Sequence, residues 1–217
     1  MNDLLLFPFN GNTREAVTVI DCLNQQNKQW NLLGFIDDDP ATWNKSFQGH
    51  KVLGGREQLA KHSQAKILAV PGRAENYLQR KRIIDSLDVE KSRFTILTHP
   101  KAAISKDTTI GYNTLIMAGV VTTANVAIGN HCAILPNSVL SHDVKMGDYC
   151  LMGSNVSVSG SVVIHPQCYL GSGCKVMHEI EIAEGTLIGL GSVVLKSTRP
   201  HTVLAGNPAK VLRENQL

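Results

Sequence analysis

From Ile104 onward the hydrophobic pattern repeats every six residues, a period that few folds accept. Stepping by six through Ile110, Ile116, Ile128 and on to Val194 meets an aliphatic residue or Met everywhere except Thr122. Four residues after each step runs a second series, from Thr108 through Cys132, Ser138, Cys150, Cys168 and Cys174 to Thr198, in which all but Ile180 are small. A helix would repeat near 3.6 and a plain strand at 2. A six-residue unit that turns after one short strand instead closes a triangular coil every three units, with both series facing a tight interior. The array predicts roughly five stacked coils, each adding about 4.8 Å. Gly111, Gly129, Gly147, Gly153, Gly171 and Gly189 follow interior aliphatics and are expected to help the backbone turn. Cys132, Cys150, Cys168 and Cys174 fall in the small series, and no CxxC pair or ligand spacing occurs, so they read as reduced packing residues and no metal is expected.

The first half has a different rhythm. Residues 4–7, 32–36 and 66–70 read as short strands and 13–26 and 74–87 as helices, with shorter pieces near Val52 and over 94–97 completing a small parallel α/β sheet. The chain thus divides into an α/β domain over 1–98 and a coiled domain with a C-terminal tail over 99–217. Open parallel sheets bind ligands beyond the carboxyl ends of their strands. There the loop Pro8-Phe9-Asn10-Gly11-Asn12 would meet Asp37, Asp38 and Asp39. An acid ending the second strand is the usual partner of a ribose hydroxyl, although a solvated turn before Pro40 accounts for the same residues. With one glycine, the loop does not make a GxGxxG dinucleotide site.

Composition excludes several partners. A net charge of +3 from 21 basic and 18 acidic residues, with no basic run interleaved with aromatics, argues against nucleic acid. The apolar patch near the N-terminus, with Asp3 beside it, lacks the basic flank and length of a signal peptide or membrane span. A cytoplasmic protein without a membrane partner is expected.

The [LIV]-G-x-x-[STV]-x units, ending in Ala205-Gly206-Asn207-Pro208-Ala209-Lys210, resemble the hexapeptide-repeat acyltransferases. Gly34-Phe35-Ile36-Asp37-Asp38-Asp39-Pro40, Val52-Leu53-Gly54-Gly55 and Thr98-His99-Pro100 resemble the branch that acetylates UDP-4-amino sugars, of the UDP-N-acetylbacillosamine type; sialic acid O-acetyltransferases share this layout. The resemblance implies a Rossmann-like α/β domain followed by a left-handed parallel β-helix, and the hand comes from the resemblance alone. It also implies acetyl-CoA as cosubstrate and a nucleotide-linked amino sugar as acceptor.

Ser141-His142-Asp143 matches the family's His-Glu or His-Asp motif, which implies His142 as general base, Asp143 as the acid that raises its basicity, and direct transfer without an acyl-enzyme. Nine residues on, where the bacillosamine enzyme has a second His near the thioester, this chain has Leu151. The positions aligned with cofactor contacts are Leu151, Ser172 and Leu190, with Lys210 and Lys196 as candidates for CoA phosphates. Those aligned with sugar-nucleotide contacts are Asn10, Gly11, Asn12, Asp37, Asp38, Gly72 and Arg73.

Residues eighteen apart stack in one column, and the column through His142 reads Lys106, Ala124, His142, Gly160, His178, Lys196. A histidine beside a residue without a side chain would leave room for a thioester, with the Gly160 N–H facing the developing oxyanion. An O-acetyltransferase of a sialic-acid-like sugar would use the same base. A metal-dependent hydratase would need three converging histidines, and His142, His165 and His178 show no paired spacing. A non-catalytic scaffold gives no reason for the His142-Asp143 pair. Finally, the outward positions Leu115, Ala133, Leu151, Tyr169 and Leu187 form an apolar stripe that a lone prism would leave wet, so a homotrimer is expected to cover it.

Overall fold

In the computed structural model, which describes residues 1–215, the period of six becomes a parallel β-solenoid. Each rung pairs with the rungs eighteen residues before and after it: Ala133 with Leu115 and Leu151, Val139 with Val121 and Ser157, Ala127 with Thr109 and Lys145. These ladders form the three faces of a prism. Every six-step residue from Ile116 to Val194 is buried, and the small series interleaves with it, Cys132, Cys150, Cys168 and Cys174 included. Thr122 is the polar exception near the N-terminal end of the prism, where its hydroxyl accepts from the Ser105 N–H at 3.1 Å and bonds to Thr108 Oγ1 at 2.8 Å. The far end closes with an antiparallel hairpin, Thr202–Gly206 against Ala209–Glu214.

The glycines act differently from the expectation. The left-handed turn positions recur every six residues at Asn125, His131, Asn137, Asp143, Tyr149, Asn155 and Ser161, with φ between 56° and 62°. Gly111, Gly129, Gly147, Gly153, Gly171 and Gly189 are not among them. They stand where successive coils touch: a Cβ at Gly111 would lie 2.5 Å from the Gly129 carbonyl carbon, and one at Gly153 2.5 Å from the Ser172 nitrogen.

The N-terminal domain has a three-stranded parallel sheet, with Asn2–Phe7 between Trp30–Phe35 and Lys66–Ala69. The helix Gly11–Gln26 starts at a capping box: Asn10 Oδ1 accepts from the Thr13 N–H at 3.0 Å and Thr13 Oγ1 accepts from the Asn10 N–H at 3.2 Å. The helix expected over 74–87 is broken. The Asn76 side chain holds the Arg73 N–H in a turn, and only a 3₁₀ turn, Tyr77–Gln79, and a short helix, Arg80–Asp85, follow. The edge of the sheet also differs. Phe94 bridges Ile67, but Leu97–Thr98 pairs with Leu115–Ile116 and is the solenoid's first rung.

The apolar stripe is already covered within one chain. Leu115, Ala133 and Leu151 are buried in one cluster with Ala16, Val17 and Ile20 of the first helix and with Leu97. Tyr169 packs at its margin, and Leu187 stays half-buried. The first helix presents Thr13, Ala16, Val17, Val19 and Ile20 as its buried face, and that face takes the place assigned to a second copy. Burying a Leu or Val side chain contributes about 1.5–3 kcal/mol, so the stripe cements the two domains.

Candidate active site

His142 stands on an exposed edge of the prism, and its position follows from the turn beside it. Asp143 takes the left-handed conformation at φ 62°, a role that Asx residues fill readily. From there its carboxylate reaches two neighbours. Asn125, one coil away, donates from Nδ2 to Asp143 Oδ1 at 2.8 Å, and His142 Nδ1 lies 2.9 Å from Asp143 Oδ2. The Asn125 amide, and after it the imidazole, hold the Asp143 carboxyl below the usual carboxylate range. An ionised carboxylate only accepts, so Nδ1 carries the proton and donates it, which leaves Nε2 as the basic nitrogen of the neutral ring. The side chains of His142 and Asp143 are 64% and 49% exposed, so the imidazole stands at the surface, with the Cε1–Nε2 edge of the ring beside Gly160.

Gly160 lies in the same column, one coil on, and a Cβ there would land on the His142 ring. The glycine therefore makes room for the imidazole itself, and the space assigned to the thioester directly over Gly160 is filled by that ring. Continuing along the column, His178 is exposed, and Lys196 lines a cavity of about 320 Å³ with Leu195, Pro208 and Ala209. Lys210 sits beside that cavity on the closing hairpin. Ser172 and Leu190 lie at a different edge, following the rungs Tyr169–Leu170 and Leu187–Ile188. Leu190 is 74% exposed. Leu151 is displaced from any surface groove: it is 4% exposed, under the N-terminal domain, so it does not present itself to a cofactor here. His165 also stands apart from His142 and His178, with Nε2 3.0 Å from Glu181. Among the described residues no three His, Cys, Asp or Glu side chains are grouped to hold a metal ion. Nor is any described helix long and apolar enough to cross a membrane.

The second candidate region is a cavity of about 670 Å³ at the carboxyl ends of the N-terminal strands. It is lined by all seven residues aligned with sugar-nucleotide contacts: Asn10, Gly11, Asn12, Asp37, Asp38, Gly72 and Arg73. The carboxylates there are not free. Asp37, 9% exposed, accepts from the Phe9 N–H at 2.8 Å and from the Asp39 N–H at 2.9 Å, so it ties two lining segments together. Asp38 is clamped by Arg56, whose Nη2 lies 2.5 Å from Oδ2; that guanidinium holds the Asp38 carboxyl below its usual range. Asn10 and Asn12 donate to the carbonyls of Val70 and Gly72 from the opposite wall. Arg56 gave no signal in the sequence, because neither its neighbours nor its spacing from Asp38 forms a pattern. None of the lining residues belongs to the solenoid, so within one chain the cavity and His142 form two separate regions.

The family model for bacterial transferase hexapeptide (six repeats) matches residues 125–160, which include His142, Asp143 and Gly160. No curated protein matches the chain by sequence. Among solved structures, the chain is similar to a variant of perosamine N-acetyltransferase from Caulobacter crescentus in complex with CoA and GDP-perosamine, at 20% identity and a TM-score of 0.85, over 99% of this chain and 98% of that one. It is similar to the acetyltransferase domain of PglB from Neisseria gonorrhoeae in complex with acetyl coenzyme A, at 22% identity and a TM-score of 0.84, over 98% and 100% of the two chains. A partial likeness, at 18% identity and a TM-score of 0.54, covers 57% of this chain and 82% of AntD, an N-acyltransferase from Bacillus cereus in complex with dTDP-4-amino-4,6-dideoxyglucose and coenzyme A. The repeat read from the sequence thus has its match, and the fold is one that sugar N-acetyltransferases use.

Proposed function

We propose that this chain, a hexapeptide-repeat protein with the fold of nucleotide-sugar N-acetyltransferases, is a cytoplasmic enzyme that transfers the acetyl group of acetyl-CoA to the 4-amino group of a nucleotide-linked sugar. The observation that carries the reading is the His142-Asp143 pair on an exposed edge, with Nδ1 engaged by a carboxylate, which leaves Nε2 as the basic nitrogen. In the proposed reaction the neutral sugar amine attacks the acetyl carbonyl, and a C–N bond forms as the C–S bond breaks. His142 Nε2 takes the proton the nitrogen sheds and returns it to the departing thiolate, so no acyl-enzyme forms. We assign Ser172, Leu190 and Lys210 to the CoA side, with Lys196 and its cavity about three coils, or roughly 14 Å, from His142. The Rossmann-like N-terminal domain takes the nucleotide in the cavity of Asn10, Gly11, Asn12, Asp37, Asp38, Gly72 and Arg73. The first helix begins at that cavity, where its unpaired N–H groups favour a diphosphate.

The homotrimer now rests on a different argument. The stripe is covered within the chain, but His142, the edge of Ser172 and Leu190, and the nucleotide cavity all lie apart in one copy. Prisms packed side by side would set the edge of one against the edge of the next and complete a shared site. The test is incubation with acetyl-CoA and a panel of UDP-, dTDP- and GDP-linked 4-amino sugars, following free thiol. Thiol release with at least one sugar, from a protein that sediments as a trimer, is expected. Absence of release across the panel overturns the amino-sugar reading, and an active monomer overturns the shared site. An O-acetyltransferase would release thiol with a sialic-acid-like hydroxyl acceptor and not with the amines.

A further inference from the structure

Among the described residues Arg80 is the largest fully buried side chain, and none of its hydrogen-bond partners is a carboxylate. Burial pulls its guanidinium down to about 10, so it stays charged at neutral pH. A buried charge that lacks an opposite partner costs several kcal/mol of desolvation unless its hydrogen bonds are well met, and an apolar side chain of the same length would avoid that cost. All three partners of Arg80 are backbone carbonyls. Nε donates to Tyr149 at 3.2 Å and Nη2 to His131 at 2.7 Å, both turn residues of successive coils; Nη1 donates to Pro71. Pro71 and Gly72 line the nucleotide cavity. Gly72 adopts φ +103°, and a Cβ there would lie 2.6 Å from Arg80 Cγ, so the loop rests directly on the arginine stem.

Other bonds converge on the same loop. Asn113, a solenoid turn residue, holds Ala69 in both directions: its Oδ1 accepts from the Ala69 N–H at 2.7 Å, and its Nδ2 donates to the Ala69 carbonyl at 2.8 Å. From the cavity side, Asn10 and Asn12 hold the Val70 and Gly72 carbonyls. The strand Lys66–Ala69 therefore enters the loop already clamped to the solenoid, and the loop is fixed again two residues later by a planar fork that spans two coils.

We propose that Arg80 is a positioning residue for the acceptor: it sets the Pro71-Gly72-Arg73 lip of the nucleotide cavity in register with the solenoid. The inference rests on the reading of that cavity as the sugar-nucleotide site. Lysine keeps the charge but loses the fork, and methionine keeps the stem and removes the charge. Binding of the UDP-, dTDP- and GDP-linked 4-amino sugars is measured by calorimetry on the wild type, Arg80→Lys and Arg80→Met, with melting temperature, sedimentation and steady-state constants alongside. The wild type is expected to bind at least one sugar nucleotide. Loss of all three charge-assisted bonds in Arg80→Met, and of the three-way fork in Arg80→Lys, is expected to weaken that binding at least about tenfold in both variants, with the acetyl-CoA KM within about twofold of wild type and the assembly unchanged. Amide exchange at Gly72 and Arg73 is expected to quicken, and that at Thr13 and Arg14 to stay as it was. If the wild type binds none of the sugars, the cavity reading fails. If it binds and both variants bind equally well, or both substrate constants rise together, the positioning role is wrong. Should Arg80→Met fail to assemble, Arg80→Lys decides by the same readings, and a lysine variant that also fails to assemble marks Arg80 as structural and overturns the proposal.

Discussion

Met152 and Arg80 are both fully buried, yet they reached the interior by different rules. Met152 is where a count of six puts it, stacked in one column with Ile134 and Leu170 in the same register. Arg80 follows no count, and its place depends on three carbonyls supplied by two distant segments. In the solenoid each coil repeats the pattern of the one below and packs chiefly on its neighbours, so one rule places every interior residue. In the N-terminal domain and at its seam, an apolar cluster is joined by polar bonds between particular residues that no repeat predicts. For the proposed function this would mean a division of labour: the solenoid edge carries the base, and the loops around the N-terminal cavity select the acceptor.

Removing the proposed base is expected to have the largest effect. His142 lies on an exposed edge, and the packing pattern asks for no histidine there, so His142→Ala is expected to keep the melting temperature and assembly of the wild type. General-base catalysis commonly contributes ~10²- to 10⁴-fold, and kcat is expected to fall by about that factor. Asp143→Ala is expected to cost less, because it removes the group that orients the ring and leaves Nε2 present. A His142→Ala protein with near-normal turnover, or one inactive only because it unfolds, would end the comparison, since the edge would then be structural as well.

How far the sequence reached follows the same division. The solenoid was legible because its signal is periodic: interior residues, the small series and the His142 column all fall where a step of six or eighteen sends them. The reason for the glycines that follow interior aliphatics was not, because contact between coils depends on backbone separation, and left-handed φ falls at another position of the repeat, filled by Asp143 among others. The apolar stripe was legible as apolar and misleading about its cover, since the buried face of the first helix carries no mark saying which surface it seeks. The seven cavity residues were gathered by resemblance and do line one cavity, but what they do there was hidden. Asp37 holds two N–H groups and Asp38 is spoken for by Arg56, and such pairings between remote segments leave no local pattern.

A mid-sized effect probes one of those pairings. Asp37→Ala removes both acceptors that tie Phe9 to Asp39, and hydrogen bonds to a charged group contribute about 1.5–3 kcal/mol. The sugar-nucleotide KM is expected to rise about tenfold, with the acetyl-CoA KM nearly unchanged, because the cavity deforms and the solenoid edge does not. Equal rises in both constants, or none in either, would mean that the two regions are not separate in the way described.

The smallest effect concerns the seam itself and is read from pH. His131 stacks on Tyr149 at 4.6 Å, and its Nδ1 accepts from Asn113 Nδ2 at 2.8 Å, the same amide that holds Ala69. Burial pushes this imidazole down to about 4, with the charges of Arg80 and Lys81 acting in the same direction and those of Asp85 and Asp148 opposing. In the unfolded chain a histidine titrates near 6.5. Above that pH neither state is protonated and His131 leaves stability unchanged. Between about 6.5 and 4 the unfolded chain takes up the proton and the folded one does not, so stability falls as pH falls, and below about 4 the loss is complete. Asp38, held below its usual range by Arg56, loses its contribution only at lower pH, which separates the two windows. The wild-type melting temperature is expected to drop on the order of 5 °C between pH 7 and pH 5, the size that about 1–2 kcal/mol produces in a chain of this length. His131→Phe keeps an aromatic ring against Tyr149 and has nothing to protonate, so its melting temperature is expected to fall less over the same window, with His99, whose imidazole burial also pushes down, retaining its share, and from a lower starting value because Asn113 loses an acceptor. Parallel slopes for the two proteins would show that the acid sensitivity arises elsewhere, and that the seam tolerates a charged His131.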